Sequence, residues 1–212
     1  LVAKPSMMNP AGGGPAPTHD HGHETPDPVA LGLPEPRTEV RAVVSPFNVP
    51  DDFRTQLAPL YASYVDIQAA LSTDDSDGAK RAASTLKDAL SKPDMSLLTG
   101  DAHDIWMKEQ SQMLSTVSQI VGADNIERAR FAFALLSEQF IAVAKRFGTA
   151  DSALHRFHCP MAFDGRGADW LQMKQRTENP FFGSAMFRCG ALEESITPAT
   201  PAAGQEVDDG NE

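Results

Sequence analysis

The chain has 212 residues, 41% of them hydrophobic, with 16 prolines and a formal net charge of −11. A balance this acidic argues against nucleic acid and anionic membrane surfaces as partners, because both need a basic face, and it is compatible with attracting cations. The longest strongly apolar run, FAFALL at 131–136, is far too short to span a bilayer.

With no leader pattern and Leu1 as its first residue, the chain is expected to be an excised piece of something longer. Residues 8–50 hold nine of the 16 prolines and a triple glycine at 12–14. Such a stretch cannot bury enough apolar surface to offset its conformational entropy, so 1–50 is expected to be mostly disordered linker. Within it, THDHGHE at 18–24 sets His19, His21 and His23 on alternate positions. Imidazoles this dense bind Cu(II), Zn(II) or Ni(II) loosely, and the plainer reading is a polar linker that contains histidines.

The foldable unit is expected over 51–196, and four helical patterns fill most of it. Phe53, Leu57, Leu60, Tyr64, Ile67 and Leu71 recur at spacings of three and four, which puts them on one helical face. Asp51 or Asp52 is its expected N-cap, and Pro59 is expected to kink or split the helix, because it lacks an N–H and its ring clashes with the previous turn. DDSDG at 74–78 signals a turn. The second helix is placed at 79–91 on Ala82, Ala83, Leu86 and Leu90, ended by Pro93. A third, at 101–121, uses Trp106, Met113, Leu114, Val117, Ile120 and Val121, with Gly122 as C-cap. The fourth, at 125–147, uses Ile126, Ala129, Phe133, Leu136, Phe140, Val143 and Phe147, with Gly148 as its stop. Short connections between amphipathic helices favour an antiparallel four-helix bundle.

After Gly148 the helical period fades. Residues 153–196 are rich in glycine, proline and aromatics, which suits a small, turn-rich, partly β appendage, and 197–212 reads as a disordered acidic tail. Strands near 155–158 and 186–192 would bring the only two cysteines, Cys159 and Cys189, together.

Two chemistries fit that pair. In an oxidising compartment a disulfide across 30 residues would stabilise the appendage by roughly 3–4 kcal/mol. Alternatively, Cys159 and Cys189 with Met161 and Met186 supply thiolate and thioether donors, a soft set that selects Cu(I) or Ag(I), with His158 as an optional further ligand. No C-x-x-C and no histidine pair completes a zinc set. Trp170 could face a bound cation or pack in the small core. No nucleophile–base set and no suitably paired carboxylates stand out, so binding rather than catalysis is expected.

The segment FHCPMAFDGRGADWLQ…TENPFFGSAMFRCG resembles the C-terminal domain appended to CusB-like periplasmic adaptors, the membrane fusion proteins of copper, silver and other heavy-metal efflux pumps. The resemblance rests on Cys159–Met161, Trp170–Gln172, Asn179–Gly183 and Met186–Gly190 and on YASYVDIQAALSTDD at 61–75; independently, AKPSMMNPAGG at 3–13 resembles the end of the adaptor's membrane-proximal region, just before the linker. Phe181 and Phe182 stand where tyrosine is usual. It implies a periplasmic location, a part in exporting Cu(I) or Ag(I), and an adaptor and inner-membrane transporter as partners.

Overall fold

The computed structural model describes residues 47–198, all within one compact unit. The expectations for the linker up to residue 46, including His19, His21 and His23, and for the tail from 199 lie outside the described residues. The protein is mostly helical, with a small three-stranded antiparallel sheet near its C-terminus. Among the described residues no helix is long and apolar enough to cross a membrane.

Helix α1 (Asp51–Ser72) buries the whole predicted face from Phe53 to Leu71. Its N-cap is Pro50, and Asp51 and Asp52 fall in the first turn, where their charges meet the positive end of the helix dipole. Pro59 does not divide it. Leu57 and Leu60 on either side are fully packed, so tertiary burial outweighs one missing hydrogen bond.

Helix α2 (Ser76–Ala89) starts three residues earlier than its apolar pattern, because Asp75 accepts the Gly78 N–H at 2.8 Å and caps it. It buries Ala79, Ala83 and Leu86, whereas Ala82 is only half-buried. A 3-10 turn at Met95–Leu97 leads to α3 (Gly100–Val121), which ends at Gly122 as expected. Helix α4 (Ile126–Phe147) is capped by Asn125, and Gly148 ends it at φ 83°, a left-handed conformation that favours glycine.

Successive helices pack on one another, and α1 also meets α4 through aromatic rings. Tyr64 stacks between Phe133 at 5.1 Å and Phe140 at 4.6 Å, while Phe53 packs against Trp106 and Phe147. Phe47, just before α1, lies on Phe147 and donates its N–H to the Arg146 carbonyl.

The sheet comprises β1 (Leu154–Cys159), β2 (Ala168–Gln172) and β3 (Ala191–Ile196), in the order β2-β1-β3. The first strand falls where the sequence put it. The second expected strand does not: Gly183–Met186 is a 3-10 turn, Gly190 takes φ 122°, and the strand begins only at Ala191. β2 was not anticipated. Its free edge is held to α1 by the Tyr64 phenol, which accepts the Leu171 N–H at 3.1 Å. Ion pairs fasten β3 and β1 to α4: Lys145 reaches Glu194 at 2.6 Å, and Arg156 bridges Glu194 at 3.1 Å and Asp169 at 2.8 Å.

Candidate metal site

Cys159 ends β1 and is fully buried; Cys189 lies two residues before β3 and is half-buried. Because β1 and β3 pair antiparallel with His158 opposite Ala191, the two cysteines arrive at the same end of the sheet. Their sulfurs are 3.7 Å apart, and both are free thiols. The convergence expected from the sequence is therefore present, although the strand that produces it is shifted.

The second cysteine is positioned by residues that the sequence singled out only within the resemblance or as a turn, not for this role. Asn179, wholly buried, donates its side-chain amide to the Cys189 carbonyl at 2.8 Å. Its Oδ1 accepts the N–H groups of Phe181 and Phe182, and its own N–H binds the Phe187 carbonyl. Gln172 does the same for the preceding loop, donating to the Lys174 and Arg176 carbonyls and accepting from the Trp170 indole and the Glu178 N–H. Asp74, just beyond α1, takes both the N–H and the hydroxyl of Ser184 together with the Arg130 guanidinium. Those contacts hold its carboxyl at about 2, well below the usual range, the Ser184 hydroxyl contributing most. The arm carrying Met186 and Cys189 is thus fixed to α1 and α4. Asn before Pro and Asp at a turn were visible in the sequence, but only as turn formers.

Burial, and then the adjoining Cys159 sulfur, push the Cys189 thiol up from its ordinary value. It is therefore a neutral thiol at neutral pH, and a metal must displace its proton to bind.

The other expected donors are placed differently. Met161 and Met186 are on the surface, 56% and 38% exposed, and Met186 joins Cys189 in one turn through the Cys189 N–H to its carbonyl. His158 is turned away. Neighbouring residues on a strand point to opposite faces, and its Nδ1 lies 2.6 Å from Asp169, its cross-strand partner. Its ring does not share a face with the Cys159 thiol. Trp170 packs: it is fully buried, stacked on Phe157 at 5.5 Å and edge-on to Phe181 at 5.7 Å.

The loop between β1 and β2 begins with Pro160 and Met161 and holds a single helical turn, α5 (Ala162–Gly165). Inside it Phe163 and Asp164 take left-handed conformations at φ 51° and 58°, costly for residues with a side chain. Phe163 is kept there by packing on Phe131 and Phe181.

Among the described residues, no group of three or more His, Cys, Asp or Glu side chains converges in a way that could hold a metal ion. At the cysteine pair the donors among the described residues are therefore the two thiols, with the thioethers beside them in sequence.

Residues 60–152 match the model of a protein family of unknown function, DUF3347. The match runs from within α1 through α4 and stops before β1, so the thiol-bearing sheet lies outside it. No curated protein and no solved structure matches the chain.

Proposed function

We propose that Cys159 and Cys189 are the thiolate donors of a site for Cu(I) or Ag(I), in a periplasmic accessory domain that keeps the ion near a heavy-metal efflux pump. The observation that carries this reading is the 3.7 Å approach of the two sulfurs. With metal–sulfur bonds of about 2.3 Å, that separation subtends about 107° at a bound cation. The angle is bent rather than linear and leaves room for one or two more donors, for which Met161 and Met186 stand two and three residues from the thiols. Soft, low-coordinate ions suit such a set; zinc, which takes four donors from His, Cys and carboxylates in closed sites, does not.

In this reading the four long helices form an antiparallel bundle that presents the sheet. The adaptor and the inner-membrane transporter are its partners, and the histidines at 19, 21 and 23 add a looser site on the linker. The likeness of the Cys-Pro-Met, Trp-Leu-Gln and Met-x-x-Cys-Gly segments to efflux adaptors supports the location and the cargo. Capture and tethering require no chemical transformation, and tethering raises the local concentration of loaded domain at the pump.

The test is titration of the reduced chain with Cu(I) against a competing chelator. One ion per chain is expected to bind tightly, with affinity falling steeply in Cys159→Ser and less in Met186→Leu. Unchanged affinity in both variants defeats the proposal. The same sulfur contact favours a second reading, a disulfide staple in an interaction module of the same assembly. Intact mass without reductant separates the two, since the staple lightens the chain by two hydrogens.

A further inference from the structure

The antiparallel pairing of β1 with β3 brings Cys159 and Cys189 together without making them alike. Cys159 is fully buried, and its main chain is locked into the sheet opposite Ala168 of β2. Cys189 is half-buried, and the chain on both sides of it meets solvent: Met186 and Arg188 before it, and Ala191 and Leu192 after it, are exposed. A reagent arriving from solvent therefore meets Cys189 and not Cys159.

Both main chains are held where the sulfurs meet. The Cys189 N–H is bonded to the Met186 carbonyl at 2.9 Å, and its own carbonyl accepts the Asn179 amide at 2.8 Å. The sulfurs stand 3.7 Å apart as free thiols, against about 2.0 Å in a disulfide. With the backbones fixed, the remaining approach falls to rotation of the two side chains. A sulfur already in contact with a second one attacks it far faster than a free thiol in solution does.

We infer that the pair is a thiol–disulfide exchange centre in which Cys189 reacts first and Cys159 resolves. The co-reactant is a small disulfide of the glutathione kind. The Cys189 sulfur attacks one of its sulfurs; a new S–S bond forms as the old one breaks, and one thiol leaves carrying a proton that replaces the one Cys189 gave up. The Cys159 sulfur then attacks the Cys189 sulfur, closes the internal bond and expels the second thiol, likewise protonated. Two protein thiols are oxidised and one external disulfide is reduced to two thiols. In reverse, a free thiol attacks at Cys189, the accessible end of the bond, and Cys159 leaves. A disulfide with one end open to solvent is of the labile kind, unlike a structural staple. The raised Cys189 thiol slows the first step at neutral pH without changing which sulfur is reached.

The consequence for metal rests on the thiolate reading proposed above. Only the reduced pair supplies two thiolates, so oxidation empties the site and a bound Cu(I) blocks exchange.

The test uses the full chain, reduced and then mixed with oxidised glutathione, and reads intact mass over time. The parent chain is expected to lose two hydrogens with no glutathione adduct accumulating, and excess reduced glutathione is expected to restore the dithiol. In Cys159→Ala the adduct on Cys189 persists, whereas Cys189→Ser, left with the buried sulfur, is modified about tenfold more slowly. Circular dichroism checks the fold of both variants, and the two measurements on the parent need neither. An adduct that accumulates in the parent, or equal rates in the two variants, overturns the inference. So does a bond that excess reduced glutathione leaves intact, which would make it a permanent staple. Adding Cu(I) separates the two proposals. Exchange by a chain that binds no Cu(I) upholds the exchange centre and defeats the metal site, and Cu(I) binding without exchange does the reverse. Where both hold, the oxidised chain is expected to lose its tight Cu(I) binding, and unchanged affinity overturns the coupling between them.

Discussion

The Asn179 side chain donates to the carbonyl of Cys189 across 2.8 Å, so a wholly buried amide sets where the second thiol stands. Its oxygen meanwhile closes the turn through Phe181 and Phe182. Asn179→Ala removes all three side-chain bonds and leaves the Phe181 N–H buried without an acceptor, a cost of about 1–3 kcal/mol for that group alone. The loss is expected to be local. Hydrogen exchange over 179–190 should speed up while far-UV circular dichroism keeps its helical signal, and Cu(I) affinity should fall with the lost preorganisation. Unchanged exchange in that segment would show that the thiol arm is held by other contacts.

Tyr64 joins three elements at one atom. Its hydroxyl accepts from Leu171 on β2 and pairs with Ser137 on α4 at 2.7 Å, while its ring is stacked in the helical core. Burial, the dominant cause, drives the phenol well above its ordinary pKa, so it stays neutral at neutral pH. Tyr64→Phe keeps the ring but strands the Leu171 N–H and the Ser137 hydroxyl. A loss of about 1–3 kcal/mol is expected, read as a lower urea midpoint with an unchanged slope. A changed slope would instead indicate that the sheet detaches before the helices unfold.

What the sequence disclosed follows from how each element is stabilised. The faces of α1 and α4 repeat every three or four residues because each helix buries one stripe, and that period survives in the letters from Phe53 to Phe147. The start of α2 was hidden because Asp75 reads equally as turn or cap, and only the helix it begins decides. β2 gave no signal because Trp170, Leu171 and Gln172 are buried in succession, so alternation is absent. Gln172 is buried only because the folded loop supplies its hydrogen-bond partners. The thiol pair was legible as a possibility from two cysteines in a small appendage. The residues that position it, Asn179 and Asp74, were not, since their partners are backbone groups far along the chain.

Asp74 makes the attachment of the thiol arm sensitive to strong acid. Its carboxyl is held at about 2, against an ordinary 3.8, by Ser184 and Arg130. A depressed value means that the folded form binds the proton less readily than the unfolded chain. The stabilisation is therefore complete above about pH 4 and disappears as pH falls through 2. The carboxylate side chain is 40% exposed, so solvent screening keeps the effect modest. Asp74→Asn should flatten the fall in thermal midpoint between pH 4 and pH 2 and lower the midpoint at pH 7. Parallel acid profiles for variant and parent would place the acid sensitivity in other carboxylates.

Gly190 links Cys189 to β3 at φ 122°, a conformation that side chains rarely adopt. A Cβ there would also lie 2.6 Å from Trp170 Cη2 and 3.0 Å from the His158 carbonyl, both parts of the packed sheet. Neither neighbour is the free end of a flexible chain, so the added methyl must move the indole or the strand. Gly190→Ala is expected to cost about 1–3 kcal/mol, the range for overpacking a close contact. Its mark should be specific: altered near-UV circular dichroism from Trp170, helical content preserved, and thiols that react faster with a disulfide reagent as the sulfur contact loosens. Gly122→Ala is the control, since that position has a negative φ and only an ordinary 3.4 Å contact to the Ser118 carbonyl. Equal thiol reactivity in the two variants would mean that Gly190 shapes the chain without governing how the cysteines meet.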